Sequence, residues 1–149
     1  MAQHSFHLKA NWTGGRLGNG SIEIGNLNST ISVPTELGGP GVGTNPEDML
    51  IGAASTCYLI TLASVLANRK LNIFSLSLTS EGIVSEEGGL HFERITHRPT
   101  IVLQKGATDQ EIDTAQKAAE RAEHACMISK ALRGNVEVSV EASVTVEEV

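Results

Sequence analysis

Residues 49–68 form an unbroken run of twenty amino acids without a charged side chain. A segment this long and this apolar must be buried, either in the core of a protein or in a bilayer. Glycine, serine and threonine residues dilute its hydrophobicity, and the chain has no second segment of this kind. We therefore predict a central core helix and no association with a membrane.

The residues before this run carry the signals of a helix start. Thr44 or Asn45 can cap the helix, and Pro46 suits its first position. Glu47 and Asp48 follow where the helix dipole favours negative charge. The predicted helix begins near residue 46 and ends near residue 68.

A second long helix is predicted over about residues 109–132. Thr108 and Glu111 form the T-x-x-E pattern of a capping box ahead of it, and Gly134 is placed to end it. Apolar and small residues recur at spacings of three or four, which is the pattern of a helix with one buried face. These residues are Ile112, Ala115, Ala119, Ala122, Cys126, Ser129 and Leu132.

The other segments alternate apolar and polar residues, which is typical of β-strands with one buried face. Short strands joined by a glycine turn are predicted before Pro34. Longer strands are predicted over residues 71–81, 90–104 and 136–147. Pro99 lies in the second of these and indicates an edge position or a bulge.

The order of the elements is strands, helix, two strands, helix and strand. It lacks the repeated alternation of a doubly wound parallel sheet. We predict an α+β fold in which a mostly antiparallel sheet packs with two long central helices. A length of 149 residues suits a single domain spanning residues 1–149.

The charge of the chain argues against a nucleic-acid partner. Its 11 Lys and Arg residues against 17 Asp and Glu give a net charge of -6, which is the wrong sign for binding phosphates. The N-terminal residues lack the pattern of a secretory or transit peptide, so we expect a cytoplasmic protein. In that reducing compartment two cysteines are expected to be reactive or buried thiols rather than a structural disulfide.

Cys57 lies in the middle of the first helix and Cys126 near the end of the second, each on the apolar stripe. One interpretation is that both are small buried hydrophobic residues. The other is that the helices pack on each other and bring two reactive sulfurs together; a disulfide would then need Cα atoms within about 7 Å. The pattern leaves both interpretations open.

A reactive cysteine must be ionised, because the thiolate is the nucleophile and the pKa of a free thiol is about 8.5. In the middle of a helix the dipole contributes little, so we expect a cationic side chain to stabilise a Cys57 thiolate. Arg16, in the glycine turn TGGRLG, is the candidate, since glycines allow close approach and the guanidinium offers a fork of donors. The alternative is that Arg16 is a solvated turn residue.

No cofactor or metal site is predicted. The glycine loops lack a phosphate-binding pattern in a strand-to-helix context. His124 and Cys126 are two residues apart on a helix and point to different sides, with no companion ligand pair. The remaining histidines are interpreted as surface or turn residues: His4, His7, His91 and His97.

Four motifs follow one another along nearly the whole chain: the TGGRLG turn, the loop PTELGGPGVGTNPEDML at residues 34–50, Cys57 in an alanine-rich helix, and CMISKALRGN at residues 126–135. In this order they resemble the signature of the OsmC/Ohr family. The resemblance implies an intertwined α+β homodimer with active sites at the subunit interface. It also implies reduction of organic hydroperoxides with electrons from an external dithiol.

The resemblance assigns roles to four residues. Cys57 is the peroxidatic thiol, Cys126 the resolving thiol, Arg16 the activating guanidinium and Glu47 its orienting carboxylate. Ten residues of straight helix separate Glu47 from Cys57 by about 15 Å. Either the helix begins later, Arg16 bridges the distance, or the second subunit supplies one partner. The family commonly has proline after the second cysteine, where it would bend the helix, and Met127 takes that place here.

The implied reaction is attack of the Cys57 thiolate on the distal peroxide oxygen, after which the sulfenic acid condenses with Cys126. Apolar neighbours, namely Leu50, Tyr58 and the valine-rich last strand, are expected to favour alkyl or lipid peroxides over hydrogen peroxide. Two alternatives stay open. One is a noncatalytic stress-associated dimer that binds an apolar ligand, and the other is a thiol redox sensor that is oxidised without turnover.

Overall fold

The computed structural model describes residues 1–148, and the chain divides into two units that adjoin between Leu50 and Ile51. The first unit contains an antiparallel meander of three strands, as the alternating residues predict. These strands are β1 (Leu8–Thr13), β2 (Asn19–Ile24) and β3 (Leu27–Ile31). The single domain expected from the chain length stays a prediction.

Glycines shape the turn between β1 and β2. Gly14 has a φ of +94°, a left-handed conformation that side chains disfavour. A Cβ on Gly18 would lie 2.0 Å from the carbonyl oxygen of Thr13. The turn therefore requires glycine at both positions, and it leaves Arg16 between them exposed.

Helix α1 (Pro46–Asn68) has the predicted bounds. Asn45 caps it, because the backbone N–H of Asp48 donates to Asn45 Oδ1 at 2.8 Å. One face of the helix, at spacings of four residues, is buried: Ala54, Tyr58, Leu62 and Leu66. The first core helix is thus where the uncharged run predicts it.

The second unit contains a long antiparallel hairpin, β4 (Ile73–Ser85) and β5 (His91–Leu103). After it come α2 (Asp109–Ala125) and α3 (Met127–Leu132), then two short strands that both pair parallel to β5. These strands are β6 (Glu137–Val140) and β7 (Ser143–Val146). The architecture is the predicted α+β fold with a mostly antiparallel sheet. The alternating residue pattern did not reveal that β6 and β7 pair parallel to β5.

The core of the second unit lies between α1, α2 and the sheet. Tyr58 and Leu62 of α1 pack with Ile101 of β5 and with the alanine face of α2. The Tyr58 hydroxyl also donates to the Ala119 carbonyl oxygen at 2.8 Å. Small side chains on α2 leave room for these larger side chains of α1. The α2 residues of this core are Ala115, Ala118, Ala119 and Ala122.

Pro99 is not at an edge, which corrects one prediction. It lies in the central strand β5, opposite Leu78 of β4. On the other side of β5 the partner is interrupted, since β6 ends at Val140 and β7 begins at Ser143. Proline has no N–H to donate to a sheet, so an interrupted ladder beside it accommodates Pro99 inside the sheet.

Within the described residues 1–148, α1 is the one helix long and apolar enough to cross a membrane, with a mean hydropathy of 1.9. Only 22% of that window is buried inside the protein. The buried face belongs to the core described above, which is the expected core-helix role. The remaining apolar surface of α1 is uncovered in the single chain.

Candidate active site

The two cysteines occupy different environments in the second unit. Cys57 lies in the middle of α1 and is partly exposed, whereas Cys126 lies at the junction of α2 and α3 and is 0% exposed. Both are free thiols. A reagent from solvent therefore reaches the Cys57 sulfur first.

The second predicted helix is broken at Cys126, which corrects the continuous helix expected over residues 109–132. Cys126 has φ -67° and ψ 124°, an extended conformation that ends α2 and starts α3. No proline or glycine lies at the break, so its cause is tertiary packing. The alanines of α2 pack in one core cluster, whereas Ile128 and Leu132 of α3 pack against a second cluster with Ala54 and Ile95.

The break frees the first backbone amides of α3, and these amides affect the ionisation of Cys57. The Cys126 thiol and the backbone amides of Ile128 and Met127 favour the charged form of Cys57 and act to lower the pKa of its thiol. These amides are free to donate, because the first N–H groups of a helix have no partner within it. The residue pattern predicts a cationic side chain in this role and gives no sign of these neutral donors, because they have no local signal near Cys57.

The ionisation of Cys57 reflects two opposing effects. Burial raises the pKa of the thiol, but the Cys126 thiol, the amides of Ile128 and Met127 and the Thr61 hydroxyl favour the charged form and lower the pKa below its ordinary value. The recorded hydrogen bond of Thr61 Oγ1 is to the Cys57 carbonyl oxygen, to which it donates at 2.7 Å. Cys57 is therefore the thiol of the pair that ionises first.

Cys126 is shifted in the opposite direction. Burial raises the pKa of its thiol, and the neighbouring Cys57 raises it further. The Ser129 hydroxyl and the amides of Ser129 and Ile128 oppose this rise without cancelling it. Cys57 thus ionises more readily than an ordinary thiol, whereas Cys126 stays protonated and can donate a hydrogen bond.

Arg16 and Glu47 both belong to the first unit. Arg16 Nη2 donates to the carbonyl oxygen of Leu37 at 2.6 Å, which links the two glycine loops. Glu47 lies in the first turn of α1, and its Oε1 is buried without a hydrogen-bond partner. Because α1 begins at Pro46, a later start of the helix is no longer an explanation for the separation of Glu47 from Cys57.

Two residues were placed wrongly by the sequence analysis. His97 is 0% exposed in β5 rather than on the surface, and its ring stacks on Tyr58 with centroids 4.7 Å apart. Tyr58 is itself 0% exposed, and the valines Val140, Val144 and Val146 pack against the same core. Tyr58 and the valine-rich strands therefore face the core and do not line an approach to Cys57.

The fold and the unequal thiol pair define a class: an α+β protein with a dithiol of one accessible and one buried cysteine. The chain belongs to the OsmC-like protein family, whose pattern it matches over residues 38–141. The resemblance read from the motifs is thereby confirmed.

Similar proteins agree with this assignment. The chain is 50% identical over 145 residues to the uncharacterized protein YmaD of Bacillus subtilis, with 97% of each chain covered. It is 31% identical over 131 residues to an organic hydroperoxide resistance protein of Xanthomonas axonopodis pv. citri, covering 86% of this chain and 87% of that one. Its fold is similar to the crystal structure of an organic hydroperoxide resistance protein OsmC from Legionella pneumophila, with a TM-score of 0.77, 28% identity and coverage of 96% and 99%.

Proposed function

We propose that this protein is a thiol peroxidase that reduces organic hydroperoxides to alcohols. The observation that carries the proposal is the unequal thiol pair: Cys57 is partly exposed with a lowered pKa, and Cys126 is buried beside it with a raised pKa. Relatives named as organic hydroperoxide resistance proteins support it. Since Tyr58 and the last strands face the core, the preference for organic peroxides rests on these relatives.

In the proposed reaction the Cys57 thiolate attacks the distal oxygen of the hydroperoxide. The O–O bond breaks, the alcohol leaves with a proton, and Cys57 becomes a sulfenic acid. Cys126 then attacks the Cys57 sulfur, forming a disulfide and releasing water. An external dithiol reduces that disulfide and restores both thiols.

We propose Arg16 and Glu47 as the remaining members of the catalytic set. Arg16 would supply the guanidinium that holds the thiolate and a peroxide oxygen, since its fork presents several donors at once. Glu47 would orient it. Support for Glu47 comes from its buried Oε1, because a buried carboxylate oxygen without a partner is costly and calls for a donor.

We further propose a cytoplasmic homodimer in which α1 supplies part of the interface. The face of α1 opposite the core is exposed and consists largely of small residues with one large apolar side chain, Ile60, which is 64% exposed. Small residues permit close helix contact, and uncovered apolar surface favours association. The residues of this face are Ala53, Thr56, Ile60, Ala63 and Ala67.

The proposal is tested by mass spectrometry of the protein after one equivalent of cumene hydroperoxide. We expect a peptide in which Cys57 is disulfide-linked to Cys126 in the wild type. Cys57→Ser should give no oxidation at Cys126, and Cys126→Ser should stop at the sulfenic acid of Cys57. Steady turnover with a dithiol should be lost in Cys57→Ser.

Two outcomes would replace the proposal by the alternatives. Disulfide formation without turnover in the presence of a dithiol would indicate a redox sensor. No oxidation at either cysteine in the wild type would indicate a noncatalytic family member that binds an apolar ligand.

A further inference from the structure

Ser129 has a buried hydroxyl that the fold does not use. Its side chain is 1% exposed, and Oγ lies in the interior without a well-formed hydrogen-bond partner. Serine is usually exposed, and a buried donor left unpaired destabilises a protein. The position therefore calls for an explanation other than packing.

At the third position of a helix a side chain turns back towards the N-cap residue, which for Ser129 in α3 is Cys126. Ser129 follows Cys126 by three residues, in the first turn of α3. The Ser129 side chain and its backbone N–H both favour the thiolate of Cys126 over the thiol. A hydroxyl hydrogen rotates freely, so it can turn to the sulfur when that sulfur becomes charged.

We propose that Ser129 is a positioning residue of the peroxidase cycle, which donates its hydroxyl hydrogen to the thiolate of Cys126. The inference rests on the function proposed above and concerns the steps in which Cys126 carries charge. In the reduced protein Cys126 is a thiol, and the Ser129 hydroxyl stays without a strong acceptor. The Ser129 hydroxyl therefore meets a charged acceptor, the Cys126 thiolate, only during turnover.

Cys126 carries charge in two steps. In resolution its thiolate attacks the sulfur of the Cys57 sulfenic acid: the S–S bond forms, the S–O bond breaks, and hydroxide leaves and takes up a proton to become water. In reduction the thiolate of an external dithiol attacks Cys57, which is the exposed sulfur of the pair. The S–S bond breaks, and Cys126 leaves as a thiolate beside Ser129.

The size of the effect follows from the chemistry of thiolates. Loss of a hydrogen bond to a charged group changes an ionisation equilibrium by roughly tenfold. A less acidic thiol is a better nucleophile once it is ionised. On a logarithmic scale, this gain in nucleophilicity offsets about half of the loss in thiolate concentration. We therefore expect Ser129→Ala to slow resolution roughly threefold at neutral pH, and to speed it by about the same factor at alkaline pH, where both thiols are fully ionised.

The first experiment does not depend on peroxide. In Cys57→Ser protein, Cys126 is titrated by its thiolate absorbance with and without Ser129→Ala. We expect the midpoint to move to higher pH in Ser129→Ala and to return in Ser129→Thr, which keeps a hydroxyl. The matched control is Ser55→Ala, which removes another buried hydroxyl without a partner. An unchanged midpoint in Ser129→Ala would overturn the proposal.

The second experiment follows the Cys57 sulfenic acid with both cysteines present, by trapping it with dimedone after cumene hydroperoxide. Its formation should be as fast in Ser129→Ala as in Ser55→Ala, and its decay slower. Slowing that is equal at every pH would overturn the proposal in favour of a structural role. If the wild type forms no sulfenic acid, the proposed function fails while the titration still decides whether Ser129 stabilises the Cys126 thiolate. Ser129→Ala should fold, because it removes an unpaired buried donor.

Discussion

Two identical side chains acquire different chemistry from their surroundings. Cys57 is partly open to solvent, and a neighbouring thiol and two backbone amides favour its charged form, so the pKa of its thiol falls despite burial. Cys126 is fully enclosed, and burial together with its neighbour raises the pKa of its thiol. Neutral donors can shift an ionisation in this way because they interact more strongly with the charged form than with the neutral form. The proposed division into peroxidatic and resolving thiols follows from this difference.

We expect Cys126→Ala to raise the pKa of Cys57, because the substitution removes the thiol donor. The measurement is the pH dependence of Cys57 alkylation by iodoacetamide, followed by mass spectrometry. Cys126→Ser is the matched control, since its hydroxyl still donates and should keep the midpoint below that of the alanine variant. Equal midpoints in the two variants would show that the Cys126 thiol does not stabilise the Cys57 thiolate.

His97 is buried for structural reasons and has a consequence for acid stability. Its ring stacks on Tyr58, Nδ1 lies 2.7 Å from Ser80 Oγ, and Nε2 has no partner. Burial disfavours the imidazolium and lowers the pKa of His97 to about 4. An unfolded chain binds this proton near pH 6.5. The stabilisation is therefore complete above about pH 6.5 and is lost as the pH falls towards 4.

We expect the wild type to lose about 2 kcal/mol of unfolding free energy from this residue between pH 7 and pH 5. Urea unfolding at the two pH values measures the loss. His97→Gln keeps a polar side chain that does not titrate, so the variant should be less stable at pH 7 but less sensitive to pH. A variant that loses as much stability as the wild type over this interval would contradict the assignment to His97.

At the scale of elements, the decisive feature is the break between α2 and α3. Met127 stands where the family resemblance leads us to expect proline, yet the chain leaves the helix at Cys126 without it. The break allows α2 and α3 to pack in different clusters, and it frees the first amides of α3, which favour the Cys57 thiolate. Tertiary packing thus causes the helix break at Cys126 that a proline at position 127 would also favour.

We expect Met127→Pro to preserve the fold and to change the chemistry. Cys126 already has the extended ψ of 124° that a residue before proline prefers, and the first helical position tolerates proline. Stability should be unchanged or raised by up to about 1 kcal/mol. The proline has no N–H, so the pKa of Cys57 should rise.

Thermal unfolding and the alkylation profile of Cys57 test both halves of this prediction. Met127→Ala is the matched control, because it also removes the methionine side chain but keeps the amide. A Cys57 midpoint that is equal in the two variants would mean that the Met127 amide does not stabilise the thiolate. A large loss of stability in Met127→Pro alone would mean that the break is not compatible with proline.

At the scale of the whole molecule, the notable feature of α1 is that it has two apolar faces. Tyr58, Leu62 and Leu66 bury one face in the core, while most of its apolar surface is uncovered in the single chain. A helix that is apolar all round is stable only when it is enclosed on all sides. The proposed homodimer provides that enclosure.

We expect Ile60→Glu to weaken or abolish the dimer, because it places a charge in the proposed interface. Sedimentation equilibrium of the purified protein in detergent-free buffer measures the change in mass. Leu90→Glu is the control, since Leu90 is similarly exposed but lies at the tip of the β4–β5 hairpin. A monomeric wild type, or equal masses for the two variants, would reject α1 as the interface.

The sequence determined the features that depend on neighbours along the chain. Asn45 and Thr108 mark helix starts because their side chains bond backbone groups three residues away. Alternating residues revealed the strands, since successive side chains of a strand point to opposite faces. The ordered motifs around Arg16, Cys57 and Cys126 identified the family. All of these signals are local, so they can be read without a structure.

Only the tertiary structure decided how the two cysteines differ. The break at Cys126, the burial of His97 and the amides beside Cys57 have no local signal, because each arises where distant segments pack together. The unpaired hydroxyl of Ser129 likewise has no local signal in the sequence. A periodic pattern of apolar residues shows that one face of a helix is buried, but it does not show which segment packs against that face. The ionisation of a thiol depends on the groups that this segment brings near it.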